Sequence, residues 1–407
     1  MPADQHDACF IERVVLRNYK SIAACDVRLG PLTFLVGANG SGKSNFLDAL
    51  RLIPDALRNG FPHALRERGG VIGVLPRPIR SSTRFGMRLD FFLPSGLRGH
   101  FAFEVGGPPA LPVISREECF ISGAGGDEHY RVRAGEVLGS TLPLAPSGVS
   151  DRLYLVNASG SPAFKPVFDA LSSMAFYNLI PDRMRDLVRP DGEDYLARDG
   201  ENLSSILSRL NSESPQAKSR IEAYLAQVVP GFTGVAAVTV GARDLLAFRQ
   251  QLASGTSDQW FTADSVSDGT LRALGILVAL LQGRPEDPRP MLVGIEEPET
   301  GLHPAATEVL LDAFREAGEF RQIIVTSHSP DLLDTTSISD SEIIAVVAED
   351  GRSSLGPLDQ TGRSVLRDHL YTAGQLLRMH QLRPGAEAFG LDSDEVDLFG
   401  VRESADR

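Results

Sequence analysis

Eight consecutive residues, Gly37-Ala38-Asn39-Gly40-Ser41-Gly42-Lys43-Ser44, complete the pattern G-x-x-x-x-G-K-[ST]. Glycines let a backbone wrap a phosphate, and loop N–H groups at a helix start attract that anion. Lys43 at this spacing reaches β- and γ-phosphates, and the Ser44 hydroxyl suits a magnesium ion. A second group is Glu296-Glu297-Pro298-Glu299, which ends the apolar run MLVGI. A phosphate loop needs such a carboxylate beside its magnesium; Glu296 fills that place, and Glu297 can accept a proton from attacking water. The run QIIVTS ends at His328. A parallel arrangement would bring this histidine to the same edge, within reach of a γ-phosphate. Finally, Ser267-Asp268-Gly269-Thr270 precedes an apolar helix. Ser and Asp are good N-caps, and Gly269 leaves the amides accessible. One nucleotide site needs only one such helix start, so a second would suit another subunit's nucleotide.

The elements that must position these groups are readable in outline. FIERVVLRNY and PLTFLVG are strand-like, and the second runs into the glycine loop. SGKSNFLDALRLI carries a helical stripe at Phe46, Leu47, Leu50 and Ile53, with Pro54 expected to kink or end the helix. Between Arg84 and Asn157, the segments RFGMRLDFFL, GHFAFEV, EECFISG, HYRVRAGEVL and RLYLVN predict an antiparallel meander. Residues 163–229 read as helical. Strands return from Val235, followed by an apolar helix over Leu271–Leu281 and by MLVGI and QIIVTS with a helix between them. Continuous apolar strands in a strand–helix–strand order indicate a parallel sheet covered on both faces. The expected division is 1–162 for a first lobe with the meander, 163–234 for a helical insertion, 235–380 for a second lobe and 381–407 for an acidic tail of weak order.

Composition narrows the class. The chain has 407 residues, 42% hydrophobic and 23% charged, enough for a buried core. No apolar run approaches a membrane span, and MPADQHDACF lacks a signal-peptide pattern. Cys9, Cys25 and Cys119 are too scattered for a disulfide framework or zinc site, so a reducing cytoplasm is the expected setting, with no membrane partner. The net charge of −13 argues against a surface that coats nucleic acid indiscriminately. One local exception runs over residues 51–88, where Arg51, Arg58, Arg66, Arg68, Arg77, Arg80, Arg84 and Arg88 face only Asp55 and Glu67. That stretch is either a phosphate-contacting surface or a set of ion pairs. Asp392-Ser393-Asp394 imitates a metal pair but reads as solvated charge in an acidic tail.

Taken in order, these elements resemble the ABC-class ATPase heads of the RecF, SMC and OLD type, often called AAA family ATPases. GANGSGKS resembles the Walker A motif, VSDGT the signature loop, GIEEPETGLHP the Walker B motif with its D-loop, and VTSHSP the histidine switch. LRNYKSI resembles the family's opening strand, and Asp199-Gly200-Glu201-Asn202-Leu203 a recurrent segment of stand-alone members. The resemblance implies an α/β P-loop fold with a mixed, largely parallel sheet flanked by helices, plus the meander and the helical insertion. It implies ATP and magnesium as cofactors, with ATP contacts at Asn39, Gly40, Ser41, Gly42, Lys43, Ser44 and Asn45, and with Lys20 nearby. Magnesium would fall to Ser44 and Glu296, and catalysis to Glu297, His328 and Lys43. Ser267, Asp268 and Gly269 would act in trans in a head-to-tail homodimer closed on ATP.

Departures refine the expectation. The first glutamine after Lys43 is Gln216, so the family's glutamine loop has no counterpart by sequence. That absence and the Glu-Glu-Pro-Glu run disfavour a transporter ATPase. No heptads occur, which excludes a long SMC coiled coil. The stretch after His328 is too short for the Toprim nuclease of OLD proteins, and no lysine lies in the [NT]-K-x-D motif of a GTPase. The expected activity is magnesium-dependent ATP hydrolysis that drives a dimerisation switch in a DNA-related process, genome maintenance or antiphage defence. DNA and a separately encoded nuclease or effector are the partners it points to. The alternative is an ATP-gated regulatory protein controlling such an effector, with slow turnover and no direct DNA binding.

Overall fold

The computed structural model describes residues 9–76, 84–108, 112–143, 145–189, 195–251, 258–283, 290–389, 391 and 396–399. Two compact units emerge, one from residues up to Met174 together with those from Thr336, the other from Ala175 to Thr335. They cut across the segments expected from sequence, because helical residues after 162 begin in the first unit and a strand opens the second.

The first unit begins with β1 (Ile11–Tyr19), β2 (Ile22–Arg28) and β3 (Leu32–Val36), the last buried at every residue, Thr33 included, as its largely apolar sequence requires. α1 (Lys43–Asn59) follows the glycine loop. Pro54 does not end it. A proline inside a helix costs about 3 kcal/mol. However, Leu50, Ile53 and Leu57 stay buried on both sides of it, each worth about 1.5–3 kcal/mol. Burial wins. Two short helices, α2 (Phe61–Arg66) and α3 (Gly70–Val74), lead to the meander of β4 (Phe85–Phe92), β5 (Arg98–Gly106), β6 (Val113–Gly123), β7 (Gly126–Arg133) and β8 (Glu136–Ser140). The hairpin joins it, giving the antiparallel order β2-β1-β4-β5-β6-β7-β8.

The last expected meander strand, RLYLVN, is instead a turn and α4 (Leu155–Ala158). Its amides are taken by a side chain: the Glu117 carboxylate accepts from Tyr154 N at 2.6 Å and Leu155 N at 2.8 Å. A strand would need those donors for a ladder. α5 (Lys165–Ser173) then packs on α1.

The second unit opens with β9 (Ala175–Tyr177), a strand within residues expected to be helical throughout. α6 (Pro181–Arg185), α7 (Leu203–Glu213) and α8 (Pro215–Val228) complete the helical part. β10 (Phe232–Val240), β11 (Arg243–Gln251) and β12 (Asp258–Thr262) form a three-stranded antiparallel sheet. α9 (Asp268–Leu281) is buried at nearly every position from Leu271 onward. β13 (Leu292–Glu296), α10 (Pro304–Gly318) and β14 (Gln322–Ser327) form the expected strand–helix–strand unit, parallel from Leu292 opposite Gln322 to Glu296 opposite Thr326. β9 is also parallel to β13, with Ile295 opposite Tyr177. α11 (Pro330–Leu333) ends the unit.

The chain returns to the first unit as β15 (Ile343–Glu349), parallel to β3, and β16 (Arg352–Pro357), antiparallel to β15. α12 (Gln360–Arg367) and α13 (Ala373–Arg378) follow. The described part of the acidic tail is packed, contrary to the expectation of weak order. Val396, Leu398 and Phe399 join Val15, Ala24 and Ala102 in one buried cluster. Leu398 sits where Gly86 lacks a side chain, since an added Cβ would overlap it. Asp392, Ser393 and Asp394 lie outside the described residues, as do Arg77 and Arg80. Among the described residues, no helix is long and apolar enough to cross a membrane.

Candidate functional site

In the first unit, the loop after β3 turns into α1 at Gly42, whose φ of 110° favours a residue without Cβ. A side chain there would also overlap the Ser353 hydroxyl. Lys43 is buried, and its Nζ donates to the carbonyls of Gly37 at 2.8 Å and Ala38 at 2.9 Å. Neutral carbonyls are modest partners for an ammonium; a phosphate oxygen makes the stronger, charge-assisted bond. Among the described residues the buried Ser41 hydroxyl has no hydrogen-bond partner, whereas Asn39, Gly40 and Ser44 are exposed. Asn45 donates to Ser21 Oγ at 2.7 Å, which contacts Ser353 Oγ at 2.6 Å. Lys20 lies 2.6 Å from Asp48, as does Arg51, with Arg68 at 3.1 Å. Burial alone would raise the Asp48 carboxyl, but Arg68, Lys20 and Arg51 outweigh it and hold it well below the usual range.

In the second unit, β13 delivers Glu296 and the backbone then turns left-handed at Glu297, φ 45°. Such a conformation costs on the order of 1–3 kcal/mol for a non-glycine residue. The turn is held by Glu297 N donating to Thr326 O at 3.1 Å. It parts the two acids. Glu296 accepts from Arg198 at 3.1 Å, while Glu297 Oε1 lies 3.1 Å from His328 Nδ1, in contact without a well-formed hydrogen bond. Glu299 accepts from Ser327 Oγ at 2.7 Å, from Ser329 N at 3.2 Å and from His328 N at 3.3 Å, so it braces the loop after β14. Its other oxygen is buried and has no hydrogen-bond partner among the described residues.

Also in this unit, Ser267 caps α9, accepting from Thr270 N at 3.2 Å, and Asp268 pairs with Arg185. Gly269 is not simply open. Any Cβ there would overlap the Gly301 carbonyl, so the cap and the turn after Glu299 touch through a missing side chain. Arg272 ties the same turn to Leu179, donating to Thr300 O at 3.3 Å and Leu179 O at 2.8 Å.

Two residues escaped the sequence reading. Arg198 precedes the quoted segment Asp199–Leu203, which was the available hint. Asn178 follows β9 one residue past the pair Ile295–Tyr177, and its amide N–H donates to Arg198 O at 2.9 Å. A three-residue strand gives no periodic signal by which to find it.

The arginine-rich stretch is largely consumed internally. Arg68 is buried against Asp48 and Asp55, Arg51 pairs with Asp48, Arg88 with Asp90 and Arg84 with Glu104. Among the described residues, no group of three or more His, Cys, Asp or Glu side chains could hold a metal ion alone. A single carboxylate such as Glu296 suits a magnesium ion that draws most of its other ligands from phosphates and water.

Residues 10–61 match the family model described as "AAA ATPase domain", and residues 144–334 the one described as "AAA domain, putative AbiEii toxin, Type IV TA system". A stretch of 103 residues is 34% identical to the DNA replication and repair protein RecF of Magnetococcus marinus, covering 25% of this chain and 26% of that one. RecF of Vibrio vulnificus is 41% identical over 44 residues, 11% of this chain and 12% of its own length. The matches therefore span about a quarter or less of these relatives. A solved SMC head bound to the C-terminal winged-helix domain of ScpA has a TM-score of 0.54 and 13% identity, covering 87% of this chain and 99% of that one. An SMC head with an extended coiled coil, bound to the C-terminal domain of ScpA derived from Pyrococcus furiosus, gives 0.51 and 12%, over 89% and 99%. These two likenesses are of fold. Family models, relatives and structures together support an ABC-type ATPase head of the RecF and SMC kind.

Proposed function

We propose that this chain, an ABC-type ATPase head of the RecF and SMC kind, hydrolyses ATP and uses ATP-driven, head-to-tail dimerisation as a switch in a DNA-related process. The observation that carries this reading is Glu297, held left-handed at the end of β13 with its carboxylate 3.1 Å from His328. A half-exposed carboxylate beside an imidazole suits a base that takes a proton from water attacking the γ-phosphate. The loop from Asn39 to Asn45 would cradle the phosphates, with Lys43 releasing its carbonyl partners for them and Lys20 nearby. Ser44 and Glu296 would hold magnesium, which neutralises phosphate charge. Asn178 offers the amide that the missing glutamine leaves unfilled. Ser267, Asp268 and Gly269 would complete the partner's site. The family model for residues 144–334 names a toxin–antitoxin component and the curated relatives are named for DNA replication and repair, so genome maintenance and defence both have support.

A second reading has its own support. Arg51, Arg68, Arg84 and Arg88 are engaged in intramolecular ion pairs. That favours an ATP-gated regulator of a separate effector over a protein that grips DNA through this stretch. ATP turnover with and without single- and double-stranded DNA, at two salt concentrations, separates them. Stimulation that weakens with salt supports a DNA-coupled ATPase. A DNA-indifferent rate supports the regulator, and no magnesium-dependent turnover under any condition overturns the hydrolase reading.

A further inference from the structure

Glu296 is mostly buried, with its side chain 17% exposed, and an unpaired carboxylate in such a place is costly. Its partner is Arg198, 45% exposed and 3.1 Å away. The backbone that aims Arg198 is fixed on both sides. Asn178 N donates to Arg198 O at 2.9 Å and Ile180 N to Asp199 O at 3.0 Å. Buried Asn202 accepts from Ala197 N at 2.7 Å, and buried Gln282 from Leu196 N at 2.9 Å. A guanidinium presents its donors in a planar fork that matches a carboxylate, so it suits this place whenever nothing else claims Glu296. The backbone is held, yet the guanidinium is half in water and free to swing away.

We propose that Arg198 is a positioning residue that stands in for the divalent cation at Glu296 and competes with it. The pair holds Glu296 in place at the strand end, and an incoming ion must displace the guanidinium from the same carboxylate. This rests on the reading of Glu296 as an ion ligand.

The test is the affinity for Mn2+ in the presence of ADP, read from the electron paramagnetic resonance of free Mn2+. Wild type is compared with Arg198→Met, Arg198→Lys and Glu296→Gln, each first checked by thermal melting. Removing a partly exposed competitor should tighten Mn2+ binding about two- to fivefold in Arg198→Met, the range expected of such a pair. Arg198→Lys should stay near wild type, because it restores the cation, and ADP affinity in EDTA should not change. Unchanged or weaker Mn2+ binding in Arg198→Met, with Glu296→Gln weakened, overturns the competition alone. Unchanged binding in Glu296→Gln overturns the ligand assignment itself, and this inference with it.

Discussion

The two units hold their charged groups in opposite ways. In the first, the cation Lys43 is buried and rests on neutral carbonyls of its own loop, while Asp48 sits among three basic side chains. In the second, the acids Glu296 and Glu297 stand partly in solvent, each beside one basic group contributed by another strand or loop. In the first, Lys43 keeps neutral partners that a phosphate outbids. In the second, Glu296 and Glu297 keep partly exposed partners that an ion or a reaction must displace. Loss of Lys43 should therefore act on nucleotide binding and loss of Glu297 on chemistry.

Glu297→Gln should break that pattern most visibly if it is wrong. The change is nearly isosteric and removes the basic carboxylate, so turnover should fall ~10²–10⁴-fold while ATP binding persists. Phosphate release and equilibrium titration on one preparation check it; wild-type turnover would pass the role of base to Glu299 or His328. Lys43→Ala should do the reverse and weaken ATP binding by about 10–100-fold, the worth of one or two charge-assisted bonds. A melt beside the titration separates lost affinity from lost fold.

Legibility followed the range of the interactions. The phosphate loop, β13, β14 and α9 were readable because their signals are local: a glycine pattern, apolar runs and a cap. What escaped depended on partners far along the chain. The strand expected at Arg152–Asn157 lost its amides to Glu117, which sequence cannot pair with them. β9 is a strand because it lies against β13, not because three residues announce one. Leu398 is ordered by the gap at Gly86. Arg198 gains meaning only through Glu296.

Gly269→Ala sharpens the contrast within the second unit. The added methyl must push either the α9 cap or the Gly301 turn aside, an overpacking cost of roughly 1–3 kcal/mol. Differential scanning calorimetry should show a lowered transition, with ATP affinity of the loop after β3 retained. An unmoved transition would mean the contact yields freely.

Glu117 provides the matching test in the first unit. Burial pushes its carboxyl up to about 7, although the Tyr130 hydroxyl and the amides of Tyr154 and Leu155 favour the charged form. The folded state therefore holds a proton that the unfolded chain, with an ordinary glutamate, has released. Stability from this group is present at acid pH and declines as pH rises from about 4.5 to about 7. The loss is at most ~3 kcal/mol. Glu117→Gln should flatten that slope in melts across the range; an identical slope would assign it to other groups.

The smallest effect expected is that of Lys20→Met, and it discriminates between two roles. By resemblance Lys20 lies near the nucleotide; in the structure its ammonium is 2.6 Å from Asp48. Asp48 keeps Arg51 and Arg68 when Lys20 is lost, so the carboxylate is not left unpaired. A partly exposed ion pair is worth about 0.2–1 kcal/mol, and the methionine retains the apolar stem. If pairing with Asp48 is its main task, the melt should fall slightly and ATP affinity should stay within about twofold, a change under ~0.4 kcal/mol. A tenfold loss of affinity with an unchanged melt would instead put the lysine on the nucleotide. It would also leave Arg51 and Arg68 sufficient for Asp48. The unit would then carry a second cation that exchanges an internal partner for phosphate, as Lys43 is argued to do.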